Sequence, residues 1–207
     1  MHLDILTPDQ QSALAVLARQ PVVGTFYLAG GTALALQLGH RESVDFDFFR
    51  RETFDPPWLL DQLPTSSPIR ILQEATNTLT VDFQGVKTSF FAYPHDLLQP
   101  ALGAEAPVPL ASVPDIAAMK LAAIGGRGAR KDFVDLYFIG RDCFPLREAV
   151  VYLEAKFSRQ EFDLYHILRS LTYFDDAERE PMPRLRQPVT WETIRRYFTA
   201  EAVRLRR

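Results

Sequence analysis

Residues 28–34 (LAGGTAL) and residues 44–49 (VDFDFF) are the most informative segments of this 207-residue chain. In the first segment a short apolar run gives way to two glycines, Gly30 and Gly31, which allow a tight backbone turn. The apolar residues that follow predict a helix over 32–39. The second segment alternates polar and apolar residues and predicts a strand. The order is therefore strand, glycine turn, helix, strand.

The strand carries two carboxylates, Asp45 and Asp47, that we expect on one face, while Phe46 and Phe48 point into the core. Residues at i and i+2 rise about 6.6 Å along a strand, so the two charges repel each other. A divalent cation removes that repulsion. Mg²⁺ takes one or two carboxylates and completes its shell with water and phosphate oxygens. We therefore expect Mg²⁺, with Mn²⁺ as an alternative, held by the two aspartates as one ion or two.

The glycine turn supplies the second half of a nucleotide site. Backbone N–H groups at a helix start bind phosphates, which makes Gly30, Gly31 and Thr32 candidate phosphate ligands. Each motif alone has a purely structural explanation, as a plain turn or a chance pair of acids. Their combination in this order favours a nucleotide site.

Composition restricts the class of protein. A chain with 47% hydrophobic and 24% charged residues is ordinary for a globular protein. No apolar run approaches a membrane span, and the start of the chain lacks a secretion-signal pattern, so we expect a cytoplasmic protein without membrane contact. The single cysteine, Cys143, permits no internal disulfide and is expected to pack as a small apolar residue.

Charge argues against indiscriminate nucleic-acid binding, because the net charge is −3. The C-terminal segment is nevertheless rich in arginine, and two explanations stay open for it. It forms a solvated helix face with a basic tail, or it contacts RNA phosphates or an acidic protein. The arginines are residues 184, 186, 195, 196, 204, 206 and 207.

The pattern along the whole chain predicts an α+β fold, a mixed β-sheet core flanked by helices and followed by a helical C-terminal part. Residues 1–93 form the core, the proline-rich stretch 94–114 is a linker, and 115–207 is helical and completes the active-site cleft. A two-residue turn, Gln84-Gly85, predicts an antiparallel hairpin. The predicted strands are 26–29, 44–49, 69–73, 78–83 and 86–92, and the predicted helices are 7–19, 32–39, 58–62, 115–125, 129–141, 145–157, 161–172 and 191–205.

A second group of charges is embedded in apolar helix. Lys120 is surrounded by Ala, Met and Leu, and Asp132 and Asp135 lie three apart on one helix face. Buried charges are paired or face a cleft, since an isolated one is costly. Either the group forms structural salt bridges, or Lys120 neutralises a triphosphate while Asp132 holds Lys120 or Arg127 or accepts a proton.

Three motifs together resemble the AbiEii/AbiGii-type toxins of the nucleotidyltransferase superfamily. They are G30-G-T-A-L34, H40-R-x-S-x-D-x-D47 and K120-L-A-x4-R127-x2-R-K-D132-x2-D135. The resemblance runs over residues 28–139. It implies a nucleotidyltransferase core, with the metal on Asp45 and Asp47.

The resemblance also implies roles for the other site residues. Gly30, Gly31, Thr32, Arg41, Ser43 and Lys120 would bind the nucleotide, and Asp45, Asp47, Lys120 and Asp132 would be catalytic. It further implies a toxin with a partner antitoxin that transfers nucleotides from a nucleoside triphosphate to RNA, notably tRNA.

One departure concerns the third acid that nucleotidyltransferases of this superfamily commonly add from a neighbouring strand. Asp82 is one candidate, although it lies beside the hairpin turn. Alternatively two aspartates suffice, with Ser89 or water at the third position, and this second arrangement is the one that we expect.

The sequence thus predicts a Mg²⁺-dependent nucleotidyltransferase acting on an acceptor hydroxyl of RNA. Two alternatives stay open. One is an inactive nucleotide-binding module that acts through a protein partner. The other is a transferase acting on a protein or small-molecule hydroxyl.

Overall fold

The computed structural model describes residues 1–64, 68–103, 106–157 and 162–205, and the chain divides into two compact units, Met1–Ser112 and Val113–Arg207. The first contains a five-stranded sheet and three α-helices, and the second contains six α-helices within the described residues. In the first unit the elements are α1 (Pro8–Leu17), β1 (Tyr27–Ala29), α2 (Gly30–Leu38), β2 (Phe46–Arg50), α3 (Pro56–Gln62), β3 (Ile69–Ala75), β4 (Thr78–Phe83) and β5 (Val86–Ala92).

The sheet has the strand order β1-β2-β5-β4-β3. The β2–β5 pair is parallel and the other three pairs are antiparallel, which makes the sheet mixed as predicted. Gln84 and Gly85 have φ angles of 54° and 79°, typical of the type I′ turn that matches strand twist. This turn fixes the β4–β5 register, with Asp82 opposite Lys87.

One face of the sheet forms the core of the first unit. A row of fully buried side chains crosses four strands, and its members are Leu28, Phe48, Phe90 and Leu79. The Phe48 and Phe90 rings stack with centroids 5.2 Å apart. The alternation along β2 therefore points its other side chains, Asp47 and Phe49, to the opposite face.

The proline-rich stretch contributes to the first unit up to Ser112. The Leu28 N–H donates to the Pro109 carbonyl oxygen (2.7 Å), and the Ala111 N–H donates to the Leu28 carbonyl oxygen (2.9 Å). These bonds cover the outer edge of β1, which would otherwise expose unpaired backbone groups.

The second unit is helical. Its elements are α4 (Val113–Gly126), α5 (Arg130–Asp142), α6 (Leu146–Lys156), α7 (Leu164–Ser170), α8 (Asp175–Glu178) and α9 (Trp191–Leu205). The predicted start of the α7 helix, Glu161, lies outside the described residues, and α8 was not predicted. Phe133 of α5 packs against Phe174, Trp191 and Phe198, with ring centroids 5.1 to 5.9 Å apart.

A buried ion pair joins α4 to α6. The Lys156 ammonium donates to Asp115 at 2.7 Å, and both side chains are fully buried. The part of the chain that the structure describes contains no helix with the length and hydrophobicity of a transmembrane span.

Cys143 corrects one expectation from the sequence. It is the C-cap of α5 and is exposed, so its interpretation as an apolar packing residue is wrong. Desolvation by neighbouring atoms, and then the nearby Asp142 carboxylate, raise the pKa of the Cys143 thiol. A raised pKa disfavours the nucleophilic thiolate.

Candidate functional site

The glycine turn and Asp47 lie against each other in the first unit. Ala29 pairs with Asp47 across the antiparallel β1–β2 ladder, and Gly30 follows with φ of +65°. A Cβ placed on Gly30 would lie 3.2 Å from the Asp47 Oδ2 atom. Glycine suits this position for two reasons. It adopts the left-handed backbone conformation without strain, and it has no Cβ that would crowd the Asp47 carboxylate. The sequence predicted this juxtaposition.

Thr32 holds the segment that carries the other aspartate. Its buried hydroxyl hydrogen-bonds the Asp45 carbonyl oxygen and lies 2.8 Å from the Ser43 hydroxyl. The prediction that Thr32 opens the helix is wrong, because α2 begins at Gly30 with Ala29 as its N-cap. Thr32 therefore fixes the position of residues 43–45 beside the helix start.

A buried guanidinium completes this part of the site. Arg41 is 3% exposed, and a Cβ on Gly31 would overlap its Nη2 atom and lie 3.3 Å from the Ser43 Oγ atom. Arg41 Nη1 also donates to the Glu42 carbonyl oxygen at 2.8 Å. The second glycine is thus needed for space, because any side chain there would displace the positive charge.

The start of α2 has the properties of an anion site. Its N-cap residue, Ala29, makes no side-chain cap hydrogen bond, whereas the N-cap residues Thr7 and Asp55 cap α1 and α3. The first N–H groups of a helix and the positive end of its dipole attract phosphate, and the Arg41 guanidinium lies beside them. Asp45 and Asp47 are both partly exposed beside it. Carboxylates and a phosphate seat together can hold a metal-bound triphosphate.

The position beside Asp47 on the next strand belongs to Ser89. Asp47 pairs with Ser89 across β2–β5, and the Thr80 hydroxyl donates to Ser89 Oγ at 3.3 Å. Asp82 lies on β4, which does not neighbour β2. The Asp82 carboxylate binds Arg70 at 2.8 Å and accepts the Gly85 N–H at 2.9 Å, and the Arg70 hydrogen bond is the main cause of its lowered pKa. This geometry favours two aspartates with Ser89 over a third acid at Asp82.

Gln10 is a site residue that the sequence reasoning missed. It is 4% exposed and donates from Nε2 to the Ser43 carbonyl oxygen at 2.7 Å. Its Oε1 atom accepts the Thr7 N–H in a capping box. The Thr7-x-x-Gln10 spacing signals that box, but nothing local in the sequence signals the contact with Ser43, 33 residues away.

The second unit contains the other predicted group. Lys120 on α4 lies 2.6 Å from Asp132 Oδ1 and 2.7 Å from Asp135 Oδ2, both on α5. All three side chains are at least nine-tenths buried. One ammonium thus faces two carboxylates, and Asp132 Oδ2 is buried without a hydrogen-bond partner among the described residues. Asp132 therefore binds Lys120, which is one of the roles predicted for it, and the catalytic roles of both residues stay predictions.

Arginines of α9 are compensated by acids of the same unit. Arg195 lies 3.0 Å from Glu178, and Arg196 lies 2.9 Å from Glu192. Arg204 lies 2.5 Å from Glu201. Arg206 and Arg207 are outside the described residues. This pairing favours a solvated helix face over a dedicated phosphate-binding surface.

A family model described as nucleotidyl transferase AbiEii toxin, type IV toxin–antitoxin system, matches residues 12–91 and 68–207. The chain belongs to the AbiEii family. It is accordingly a nucleotidyltransferase of a toxin family, as its motifs predicted. An uncharacterized protein of Aquifex aeolicus (strain VF5) is 36% identical to this AbiEii protein over 197 residues, which cover 93% of this chain and 94% of that one.

Two solved structures share the fold of this AbiEii protein. MenT4, a nucleotidyltransferase toxin of Mycobacterium tuberculosis H37Rv, superposes with a TM-score of 0.59 at 18% identity, covering 94% of this chain and 84% of that one. A protein from H. pylori assigned as a nucleotidyltransferase superposes with a TM-score of 0.56 at 15% identity, covering 97% of this chain and 96% of that one. The α+β nucleotidyltransferase fold predicted from the sequence is confirmed.

Proposed function

We propose that this protein transfers a nucleoside monophosphate from a nucleoside triphosphate to a hydroxyl of RNA, with tRNA as the first candidate, in a Mg²⁺-dependent reaction. The observation that carries the proposal is the close approach of Asp47 to Gly30 at the start of α2, where an added Cβ would lie 3.2 Å from Asp47 Oδ2. It places a carboxylate, which can bind a metal ion, next to backbone N–H groups at a helix start, which can bind phosphate.

The donor set fits a magnesium ion. Asp45 and Asp47 supply hard carboxylate oxygens, and both are partly exposed. No group of three or more His, Cys, Asp or Glu that could hold a metal occurs in the described part of the chain. A closed zinc centre is therefore a poor fit there, whereas Mg²⁺, or Mn²⁺, uses few protein ligands and keeps water and phosphate oxygens. When bound, such an ion neutralises charge on the phosphates.

The residues of the first unit have separate tasks in this proposal. The N–H groups of Gly30, Gly31 and Thr32 bind the phosphates, and Arg41 offsets the charge that grows as pyrophosphate leaves. Ser43 accepts the Thr32 hydroxyl and orients it beside the helix start. Most of the rate enhancement comes from positioning and electrostatics, since phosphoryl transfer needs little covalent help from protein.

For the helical unit, we propose that Lys120 and Asp132 contribute to catalysis. Their support is the family motif and the buried Asp132 Oδ2 atom without a partner among the described residues. A toxin of this family also implies an antitoxin, which we propose as the protein partner.

The test is transfer from each α-labelled nucleoside triphosphate, with Mg²⁺, to a mixed tRNA pool. We expect a labelled tRNA band with the wild type and loss of transfer of about 100-fold or more in Asp45→Asn or Asp47→Asn, by removal of a charge-stabilising group. Asp82→Asn is the matched control, because its carboxylate binds Arg70 instead. Label in a protein or small molecule would overturn the RNA acceptor. Thermal stabilisation by Mg²⁺ and triphosphate without pyrophosphate release would contradict turnover.

A further inference from the structure

An aromatic row crosses the sheet on the same face as Asp47. Tyr27, Phe49 and Phe91 are paired across β1, β2 and β5, two residues along from the Ala29, Asp47 and Ser89 row. The ring centroids of Tyr27 and Phe49 are 6.1 Å apart, and those of Phe49 and Phe91 are 5.2 Å apart. Successive same-face rows are separated by about 6.6 Å, so the rings lie next to the carboxylate.

Two further rings extend the row beyond β5. The Tyr93 ring lies 5.5 Å from the Phe49 ring, and the His95 ring lies 4.7 Å from the Tyr93 ring. The Tyr93 N–H donates to the Arg50 carbonyl oxygen at 2.7 Å, which anchors the segment after the strand.

The exposure of these rings distinguishes them from the core. Phe48 and Phe90 on the opposite face are fully buried, whereas Phe49, Phe91 and Tyr93 keep part of their surface accessible. The hydrophobic core is built on the other face, so these rings present aromatic surface where a ligand can reach it. Aromatic faces stack on nucleobases irrespective of the base.

The direction of the reaction decides which base would stack there. The β1 strand runs from Tyr27 through Ala29 into the glycine turn, so the phosphate seat and the aromatic row lie on opposite sides of Asp47. Phosphoryl transfer places the attacking and leaving oxygens roughly in line. In the proposed function the phosphates bind at the glycine turn, so the pyrophosphate would leave on that side and in-line attack would bring the acceptor hydroxyl from the aromatic side.

We propose that Phe49, Phe91 and Tyr93 form a stacking platform for the base of the acceptor nucleotide, an inference that rests on the proposed function. The acceptor hydroxyl oxygen forms a bond to the α-phosphorus, and the bond from that phosphorus to the pyrophosphate oxygen breaks. The hydroxyl proton passes to solvent water. The platform selects an acceptor whose hydroxyl lies beside an unpaired base, such as the single-stranded end of an RNA.

The test compares Phe91→Leu and Tyr93→Leu with the wild type in the full chain. Leucine keeps an apolar side chain and removes the ring. We expect the KM for tRNA to rise by about 5- to 150-fold, the range that corresponds to loss of one base–aromatic stack, with the KM for the triphosphate changed by less than about twofold. Phe91→Tyr keeps a ring and should keep the KM for tRNA.

Phe90→Leu is the matched control. Phe90 precedes Phe91 in the sequence, but its side chain lies on the opposite, buried face of the sheet. It should lower the melting temperature and leave the KM for tRNA unchanged. Equal effects of Phe90→Leu and Phe91→Leu on that KM would overturn the platform, since the ring would then act through stability alone.

A binding measurement separates this inference from the proposed function. Fluorescence anisotropy with a labelled single-stranded RNA, Mg²⁺ and a non-hydrolysable triphosphate requires no turnover. Weaker binding by Phe91→Leu would support the platform even where the wild type transfers nothing to RNA. Transfer by the wild type with unchanged KM and unchanged RNA binding in both leucine variants would overturn the platform and leave the proposed function standing.

Discussion

At the scale of single residues, Gly30 combines a backbone demand with a spatial one. Its φ is +65°, and an added Cβ would lie 3.2 Å from Asp47 Oδ2. We expect Gly30→Ala to lower the free energy of unfolding by about 1–2 kcal/mol, the cost of a left-handed conformation for an L-residue. It should also reduce nucleotidyl transfer, because Asp47 must shift. Denaturant unfolding and the transfer assay measure the two effects.

Gly24→Ala is the matched control for this prediction. Gly24 has no heavy atom within 4 Å of an added Cβ and no positive φ. A Gly30→Ala protein as stable and active as Gly24→Ala would contradict the account of the turn.

Gln10 acts at a distance from the chemistry, and it too can be tested by one substitution. Gln10→Ala removes the hydrogen bond to the Ser43 carbonyl oxygen and half of the capping box. We expect a loss of about 1–3 kcal/mol of stability and a lower kcat, because the buried carbonyl loses its partner and residues 43–45 are held less firmly. The neighbouring Gln11→Ala should change kcat by less than about twofold, because the Gln11 amide donates to the Leu3 and Leu6 carbonyl oxygens and not to residues 43–45. An unchanged kcat in Gln10→Ala would show that Gln10 does not position the site.

At the scale of elements, α4 and α6 are joined by the fully buried pair Asp115 and Lys156. Lys156→Met would leave a buried carboxylate without its ammonium and should destabilise the protein by about 3–5 kcal/mol. The double variant Asp115→Leu/Lys156→Met should regain most of that stability, since two apolar side chains tolerate burial. Denaturant unfolding of the two variants provides the comparison. A double variant less stable than Lys156→Met would contradict this interpretation.

The elements also show what the sequence can and cannot predict. Strands β4 and β5 were predicted with their observed bounds, because a two-residue turn containing glycine leaves little freedom of register. The proximity of Gly30 to Asp47 followed from the order of strand, turn and strand. The parallel β2–β5 pairing and the Ser43 contact of Gln10 join residues far apart in the chain. No local periodicity encodes such pairs, and this is why they were missed.

The acidic groups of the site illustrate the same limit. The Asp-x-Asp pattern was visible, yet the choice between Asp82 and Ser89 depended on strand order. The observed strand order places Ser89 beside Asp47, and the Asp82 carboxylate forms an ion pair with Arg70. Likewise, Lys120 was recognised as a buried charge, but its pairing with both Asp132 and Asp135 required the packing of α4 on α5.

At the scale of the whole molecule, the charge distribution limits how an RNA can bind. The net charge is −3, and three arginines of α9 are paired with glutamates. We therefore expect few phosphate contacts and a weak salt dependence. The KM for tRNA should rise less than about tenfold between about 50 and 200 mM salt, whereas proteins with 6–10 phosphate contacts lose about 10³- to 10⁵-fold in affinity. A steeper salt dependence of the KM would contradict this expectation and favour the arginine-rich C-terminal segment as an RNA-binding surface.

In the proposed function, Asp45 and Asp47 hold the ion that binds a triphosphate at the glycine turn. Calorimetric binding of a non-hydrolysable nucleoside triphosphate to the full chain, with and without Mg²⁺, tests this role without turnover. We expect Mg²⁺ to tighten binding to the wild type by about tenfold or more, equivalent to about 1.4 kcal/mol, and to have no effect on the Asp45→Asn/Asp47→Asn variant. A variant that keeps the full Mg²⁺ effect would contradict the claim.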